Sequence, residues 1–236
     1  MDSTVLLEQK QDLEAVAYEQ LKAAIVKGIY PPGYQISEEL VADQLGMSRS
    51  PVRTAIKQLL TEGFLEKRLN RRVYVTFGDN IRTLNALYVR KSLEGTAAYL
   101  AAINRTDNDI AEIEGLISKM DHCYETNDAF KLLQLGIEVH RIIYIAAKND
   151  HLARIGINAL EQEAIFSYHS LSNDSLRAAR SYQEHCAILN AIIARKADLA
   201  EQKARDHVDR LIERVQVQVS NQNNDKNSGS LLLAVH

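Results

Sequence analysis

Residues 36–77 read ISEELVADQLGMSRSPVRTAIKQLLTEGFLEKRLNRRVYVTF, and the rest of the chain is arranged on either side of this stretch. Ser37 precedes Glu38, Glu39 and Leu40, a side-chain acceptor followed by carboxylates where a helix start exposes free amide hydrogens and the positive end of its dipole. The spacing predicts a short helix with Leu40, Val41 and Leu45 on one face. It ends at Gly46, the residue able to take the left-handed conformation there. Ser48 is placed to cap a second helix, and Pro51 falls in its first turn, where a missing amide hydrogen costs nothing. Through Glu62 the pattern separates an apolar side, Val52, Ile56, Leu59 and Leu60, from a cationic one, Arg49, Arg53 and Lys57, each four apart. Beyond Gly63 the period falls to two, from Phe64 to Arg68 and again from Val73 to Thr76. Leu69, Asn70, Arg71 and Arg72 lie between, which predicts a hairpin with a basic tip.

Residues 49–72 hold seven Lys or Arg against two Glu, an excess of five, in a chain whose formal total is 28 minus 31, or −3. A basic stripe on a near-neutral protein marks one surface rather than general stickiness. Duplex DNA fits it: a helix enters the major groove, arginine makes two-point contacts with guanine edges, and hydroxyls and amines hold phosphates. Taken alone, the row of Arg49, Arg53 and Lys57 is equally an ordinary solvated face. The glycine turn, the capped second helix and the basic hairpin, in that order, decide for DNA.

These residues resemble the winged helix-turn-helix of the GntR family over positions 28–77. The resemblance is carried by Gly28, Pro32 and Gly33, then Leu45, Gly46, Met47, Ser48, Arg49, Ser50, Pro51, Val52 and Arg53, then Glu62, Gly63 and Phe64. It implies that Ser48, Arg49, Ser50 and Arg53 contact operator DNA and that the wing tip enters the minor groove. Lys57, Arg71 and Arg72 complete the expected DNA-binding set. Two positions depart from the family pattern: Glu39 stands where some members have arginine, and Arg72 where the wing tip has glycine.

A chain of 236 residues accommodates two domains, and 46% hydrophobic residues give each a core. Three prolines, ten glycines and no tryptophan point to a mostly α fold. The first residues lack an apolar stretch of signal-peptide length and no run reaches the roughly eighteen residues of a membrane span, so a soluble, cytoplasmic protein is expected. Cys123 and Cys186 lack CxxC spacing and read as plain thiols. Residues 1–10 are expected to be loosely ordered. Leu13, Val16, Ala17, Leu21, Ala24 and Ile25 form a helix stripe ending at Gly28, and Gly78, Asp79 and Asn80 a short linker. From Ile81 the periodicity predicts helices over about 80–103, 107–124, 127–147, 150–170, 175–194 and 198–219, whose short connections make an antiparallel bundle. The expected domains are a winged helix-turn-helix over 1–78, a helical effector-binding, metal-binding and dimerisation domain over 79–220, and a disordered tail over 221–236, rich in Asn, Gln and Ser from Ser220 on.

Three of the seven histidines lie on the apolar stripes of their own helices. His140 is flanked by Ile137, Ile143 and Tyr144, His185 by Tyr182, Ile188 and Leu189, and His207 by Ala204 and Leu211. Positions 185 and 207 are symmetric about residue 196 in the turn between their helices. At about 1.5 Å rise per residue both imidazoles stand roughly 15 Å from that turn, level with each other. A single inward histidine is ordinarily a hydrogen-bonded core residue, whereas three neutral imidazoles around one point suit a divalent ion such as Zn or Ni. No tight ligand pattern such as HExxH is present.

Residues 81–219 resemble the FCD ligand-binding domain of the FadR subfamily. The resemblance rests on Val89, Arg90, Leu93, Glu94, Ala97 and Ala98, on His140 followed by Asn149, on Glu184 and His185, and on His207. It implies a helical bundle that often holds a metal through one aspartate and three histidines. The aspartate's position, four before the first histidine, is Gly136 here, and Glu138 points to nearly the opposite side of the helix. The metal expectation becomes a three-histidine site with an open position for water or an effector oxygen. The competing reading is that the three histidines hold an anionic effector directly. Arg90, where related proteins aim an arginine into the cavity, is expected to pair with an effector carboxylate in two-point geometry. Its alternative is an intrahelical pair with Glu94. Glu94 and Tyr144 are the other effector-binding candidates.

The expected function is a DNA-binding transcriptional regulator, in this family usually a repressor, and not an enzyme. It would bind a near-palindromic operator as a homodimer, two copies multiplying the specificity of one short recognition helix, and answer to a small acidic metabolite. The alternative is a metal-dependent hydrolase or lyase using the three histidines, which lacks a general base and leaves the basic helix without purpose. An architectural DNA-binding protein without effector would make the inward polar residues costly.

Overall fold

The apolar stripe before Gly28 lies in α1 (Ser3–Val26), which starts well inside the segment expected to be loosely ordered. Ala17, Leu21 and Ile25 are buried, whereas Leu13 and Val16 are exposed, so the working stripe is shorter than the periodicity suggested. The structure, a computed structural model, describes residues 3–68, 71–77, 79–166 and 175–232. The chain divides into two units, one on residues 1–78 together with 164–166 and one on the remaining helices.

In the first unit, β1 (Gln35–Ile36) is too short to show any period in the sequence. It forms because Gly33, with φ 81°, turns the chain back so that its amide donates to the Val75 carbonyl at 2.9 Å, while the Val75 amide donates to Tyr34 at 2.9 Å. Ser37 then caps α2 (Glu38–Leu45) by accepting from the Leu40 amide at 3.1 Å, and Gly46 ends that helix with φ 62°. Helix α3 (Arg49–Thr61) follows, with Pro51, Val52, Ala55, Ile56 and Leu59 buried. The hairpin of β2 (Leu65–Lys67) and β3 (Val73–Val75) is antiparallel, Leu65 opposite Val75, and β1 adds to the free edge of β3 in the order β1-β3-β2. Leu21, Val52, Leu59, Phe64 and Val75 form its core, and truncating any one of them to alanine costs about 2–5 kcal/mol.

Six helices follow among the described residues: α4 (Asn80–Asn104), α5 (Asp107–Glu125), α6 (Ala129–Ala146), α7 (Asp150–Phe166), α8 (Ser175–Ile193) and α9 (Ala197–Leu232). Side chains cap the starts of α4, α5 and α6. Asp79 accepts from the Arg82 amide, Thr106 and Asp109 form a reciprocal box, and Asp128 accepts from the Lys131 amide. Three connections turn through left-handed residues that are not glycine, Asn127, Lys148 and Arg195, with φ of 53°, 52° and 55°. The buried Arg105 donates to the Ile192 carbonyl at 2.9 Å and Arg195 to the Ile103 carbonyl at 2.7 Å, so the ends of α4 and α8 satisfy one another's last carbonyls. Ala97, Ala98, Ala101 and Ala102 of α4 are fully buried, and Arg205 of α9 lies so close over Gly95 that a Cβ there would stand 2.6 Å from its Nε.

One expectation for the bundle changes. Helix α9 continues to Leu232 through the stretch expected from Ser220 to lack regular structure, because that composition signals solvation while no proline interrupts the backbone. Residues 167–170, expected to finish α7, lie outside the described residues. No helix among the described residues is long and apolar enough to cross a membrane. Cys123 is buried, Cys186 half-buried, and both are free thiols.

Candidate DNA-reading face and buried histidine cluster

Packing of the apolar side of α3 leaves its other side outward. Ser48, Arg49, Ser50, Arg53 and Lys57 are all exposed. Ser48 occupies the position before the helix with extended backbone, but its side chain makes no capping hydrogen bond, contrary to expectation. Two of the cations are already partnered. Arg49 meets Glu39 at 2.5 Å, and Arg53 grips Glu38 with Nε and Nη2 at 2.8–3.0 Å. The hydrogen bond from Arg53 holds the Glu38 carboxyl below its ordinary range. Sequence reasoning assigned Glu38 and Glu39 to the dipole of α2 alone. The pairing joins residues ten and fifteen positions apart on two helices, and no local spacing announces it. In the wing, the Arg68 amide donates to the Arg72 carbonyl at 3.0 Å, and Arg71 turns the chain with φ 59°. Arg71 and Arg72 are exposed, whereas Arg68 is committed to Glu66 at 2.7 Å and to the Tyr74 ring.

In the second unit, α6, α8 and α9 bring His140, His185 and His207 together. Ring centroids are 4.7–5.1 Å apart, and one nitrogen from each ring lies within 4.8 Å of the others. All three are buried. The rings of His185 and His207 meet at one level, as their placement about residue 196 required. Burial lowers the His140 pKa, an effect the Glu94 carboxylate does not offset, and lowers that of His185 further with help from the neighbouring His207 and His140.

The donor set fits a divalent ion. Nε2 of His185 and Nδ1 of His140 are buried without a hydrogen-bond partner. The Glu94 carboxylate lies 3.1 Å from that Nδ1 but out of line with its ring. Glu184 accepts from Nδ1 of His207 at 2.7 Å, a contact that would orient this imidazole and leave its other nitrogen open to a metal. An aspartate could not simply be placed at position 136: a Cβ at Gly136 would stand 2.8 Å from Cε1 of His185, so the imidazole edge fills that place. Glu138 points away and pairs with Arg141 at 3.8 Å.

The three effector-binding candidates are also brought to this core. Arg90, 1% exposed, is committed to Glu94 at 2.6–2.8 Å and to Glu163 at 3.0 Å. The intrahelical pair foreseen as the alternative is therefore made, with a second carboxylate from α7 that no local spacing announces. Burial by itself would raise the Glu94 carboxyl, but Arg90 and His140 overcome it and hold it at about 2. Tyr144 is fully buried with its hydroxyl unpartnered and its ring against the Gly156 backbone, and burial followed by Glu94 raises its pKa. Tyr182 serves packing, stacked on Tyr124 and donating to Asp121 at 2.7 Å.

Against known proteins, the FCD domain model matches residues 85–210, and the model described as bacterial regulatory proteins, gntR family, matches residues 13–75. The chain is 30% identical over 190 residues to the probable D-xylose utilization operon transcriptional repressor of Paenarthrobacter nicotinovorans, covering 78% of this chain and 80% of that one. It is 29% identical over 223 residues to the Glc operon transcriptional activator of Escherichia coli (strain K12), covering 85% and 88%. The solved structure of E. coli McbR/YncC shares the fold, with a TM-score of 0.72 at 22% identity over 88% of this chain and 98% of that one.

Proposed function

The chain belongs to the GntR family of bacterial regulatory proteins and carries an FCD domain, and from that premise we propose an operator-binding homodimer governed by a small acidic metabolite beside a divalent ion. The family consists of DNA-binding transcriptional regulators, which sets aside the metal-dependent hydrolase or lyase.

The observation that carries the DNA reading is the outward row of Ser48, Arg49, Ser50, Arg53 and Lys57 on a helix whose opposite side is buried. One such helix reads a few base pairs. Two copies on half-sites about 34–36 Å apart read a near-palindrome. The relatives include a named repressor and a named activator at similar identity. Repression or activation is therefore not decided by the shared fold. In the bundle, His140, His185 and His207 would hold Zn or Ni, and the ion would present an electrophilic position to an effector oxygen. Glu184 orients His207, and Glu94 supplies the nearby negative charge. Control follows if the effector binds one spacing of the two DNA-reading units better than the other.

Selection of bound fragments from a random DNA library tests the reading. A near-palindromic motif should be enriched, shifted at two chains per duplex, and lost in Arg49→Ala and Arg53→Ala. No enrichment over random competitor overturns it. Elemental analysis of protein purified without chelator should find metal in the wild type and none in His140→Ala or His185→Ala.

A further inference from the structure

Arg49 and Arg53 of α3 both take carboxylate partners from the first turn of α2, and the two clasps differ. Glu38 holds Arg53 by one edge, with its two oxygens on Nε at 2.8 and 3.0 Å and one of them also on Nη2 at 2.8 Å. Glu39 holds Arg49 at a single point, Oε1 on Nη2 at 2.5 Å. A guanidinium presents two forks, Nε with Nη2 and Nη1 with Nη2. Each clasp therefore leaves one fork of its arginine open, and the carboxylate fixes the plane in which that fork points. The carboxylates differ in what remains to them. Glu38 has both oxygens committed to Arg53, whereas Oε2 of Glu39 has no partner among the described residues. The side chains of Arg49 and Glu39 are 60% and 66% exposed, so a ligand that meets this guanidinium meets the carboxylate as well.

We propose that Glu39 reads a base: with Arg49 on a guanine, its carboxylate accepts from the exocyclic amino group of a cytosine or adenine at the neighbouring base pair. The proposal rests on the operator-binding reading above and adds to it one position of sequence preference. Base pairs stack about 3.4 Å apart, so an oxygen in contact with a guanidinium on one pair reaches the edge of the next. An ionised carboxylate has only acceptors to offer. In the major groove it finds donors on cytosine N4 and adenine N6, and it is opposed by O6 and N7 of guanine and by O4 of thymine. Discrimination comes from penalty as much as from attraction. Beside phosphates the charge of Glu39 costs affinity on every sequence, and the cost is recovered only where an amino group is in place. Glu38 has no oxygen left for a base and does not share this role.

The test is selection from a random DNA library with the full-length wild type, Glu39→Ala and Glu39→Gln in parallel, each checked for folding by its melt without DNA. The wild-type motif should hold in each half-site a position restricted to cytosine or adenine and adjoining an enriched guanine. The enriched base identifies which amino group is read. Glu39→Ala should flatten that position and leave the others standing. Glu39→Gln, whose amide donates as well as accepts, should admit guanine or thymine there. On duplexes with the selected base replaced by guanine or thymine, wild type should bind about tenfold more weakly than on the selected site, the worth of one base contact. The same replacement should cost Glu39→Ala less than about twofold. A Glu39→Ala motif identical to that of the wild type, with affinity raised alike on every sequence, makes the carboxylate a charge only and overturns the proposal. Flattening of all positions together overturns it too, since Glu39 would then act through Arg49 alone. Absence of any motif in the wild type defeats the operator reading itself, whereas a wild-type motif that Glu39→Ala leaves unaltered defeats this proposal and spares that reading.

Discussion

An alanine Cβ at Gly136 would stand 2.8 Å from Cε1 of His185, closer than packed carbons approach. Gly136→Ala should therefore cost about 1–3 kcal/mol by displacing a buried ring, seen as a lower urea midpoint at unchanged slope. Acid should act on the same cluster in two stages. Buried His140 and His185 sit below the ordinary 6.5. Below that pH the unfolded chain takes protons that the folded chain refuses, and metal-free protein begins to lose stability there. Glu94 has its carboxyl at about 2 against an ordinary 4.5, so its contribution is complete above 4.5 and disappears as pH falls toward 2. A depression of that size corresponds to about 3 kcal/mol. Urea midpoints of chelated protein should fall continuously with acidification, and Glu94→Gln should flatten the lower stage. A pH-independent midpoint would contradict both assignments. Of these residues, the Arg90–Glu94 pair was legible from its spacing of four, while Glu163 reaches Arg90 from 73 positions away and left no local trace.

At the scale of elements, α2 and α3 form the reading unit, with Glu38 and Glu39 of one clasping Arg53 and Arg49 of the other. These pairs are exposed and worth about 0–1 kcal/mol, so Arg49→Ala and Arg53→Ala should leave the melting temperature nearly unchanged while removing operator-specific binding. Glu39 holds Arg49 in an ion pair, and in the proposed complex with DNA its carboxylate would oppose the phosphates. Glu39→Gln should raise affinity for random DNA by about two- to fivefold, the equivalent of one exposed pair, and so narrow the margin for the operator in competition assays. In the wing, Arg72→Ala should reduce the slope of log affinity against log salt by about 1 if Arg72 neutralises one phosphate. The elements themselves were readable because caps and periodicity act within a few residues. β1 was not, since its two residues take their conformation from β3.

For the whole molecule, two dependences on concentration separate its modes of assembly. A divalent ion at a hundred times its dissociation constant should stabilise the folded protein by about 2.7 kcal/mol, a gain absent from His140→Ala. Homodimerisation should make the melting temperature rise with protein concentration. The starts of the bundle's helices were placed by periodicity to within a few residues, although α9 runs on to Leu232, and His185 and His207 were placed level with each other by their symmetry about residue 196. The approach of His140 to them depends on how α6 lies against α8 and α9.

By itself the sequence determined the elements, the cationic outward side of α3 and the inward side of three histidine-bearing helices, because helical and strand periods are local and decide which side chains share a face. Only the tertiary structure decided the partners: Glu38 and Glu39 on the reading arginines, Glu163 on Arg90, Glu184 on His207, and the His185 ring over Gly136. Charges and imidazoles take partners by distance in space, and separation along the chain does not encode that distance.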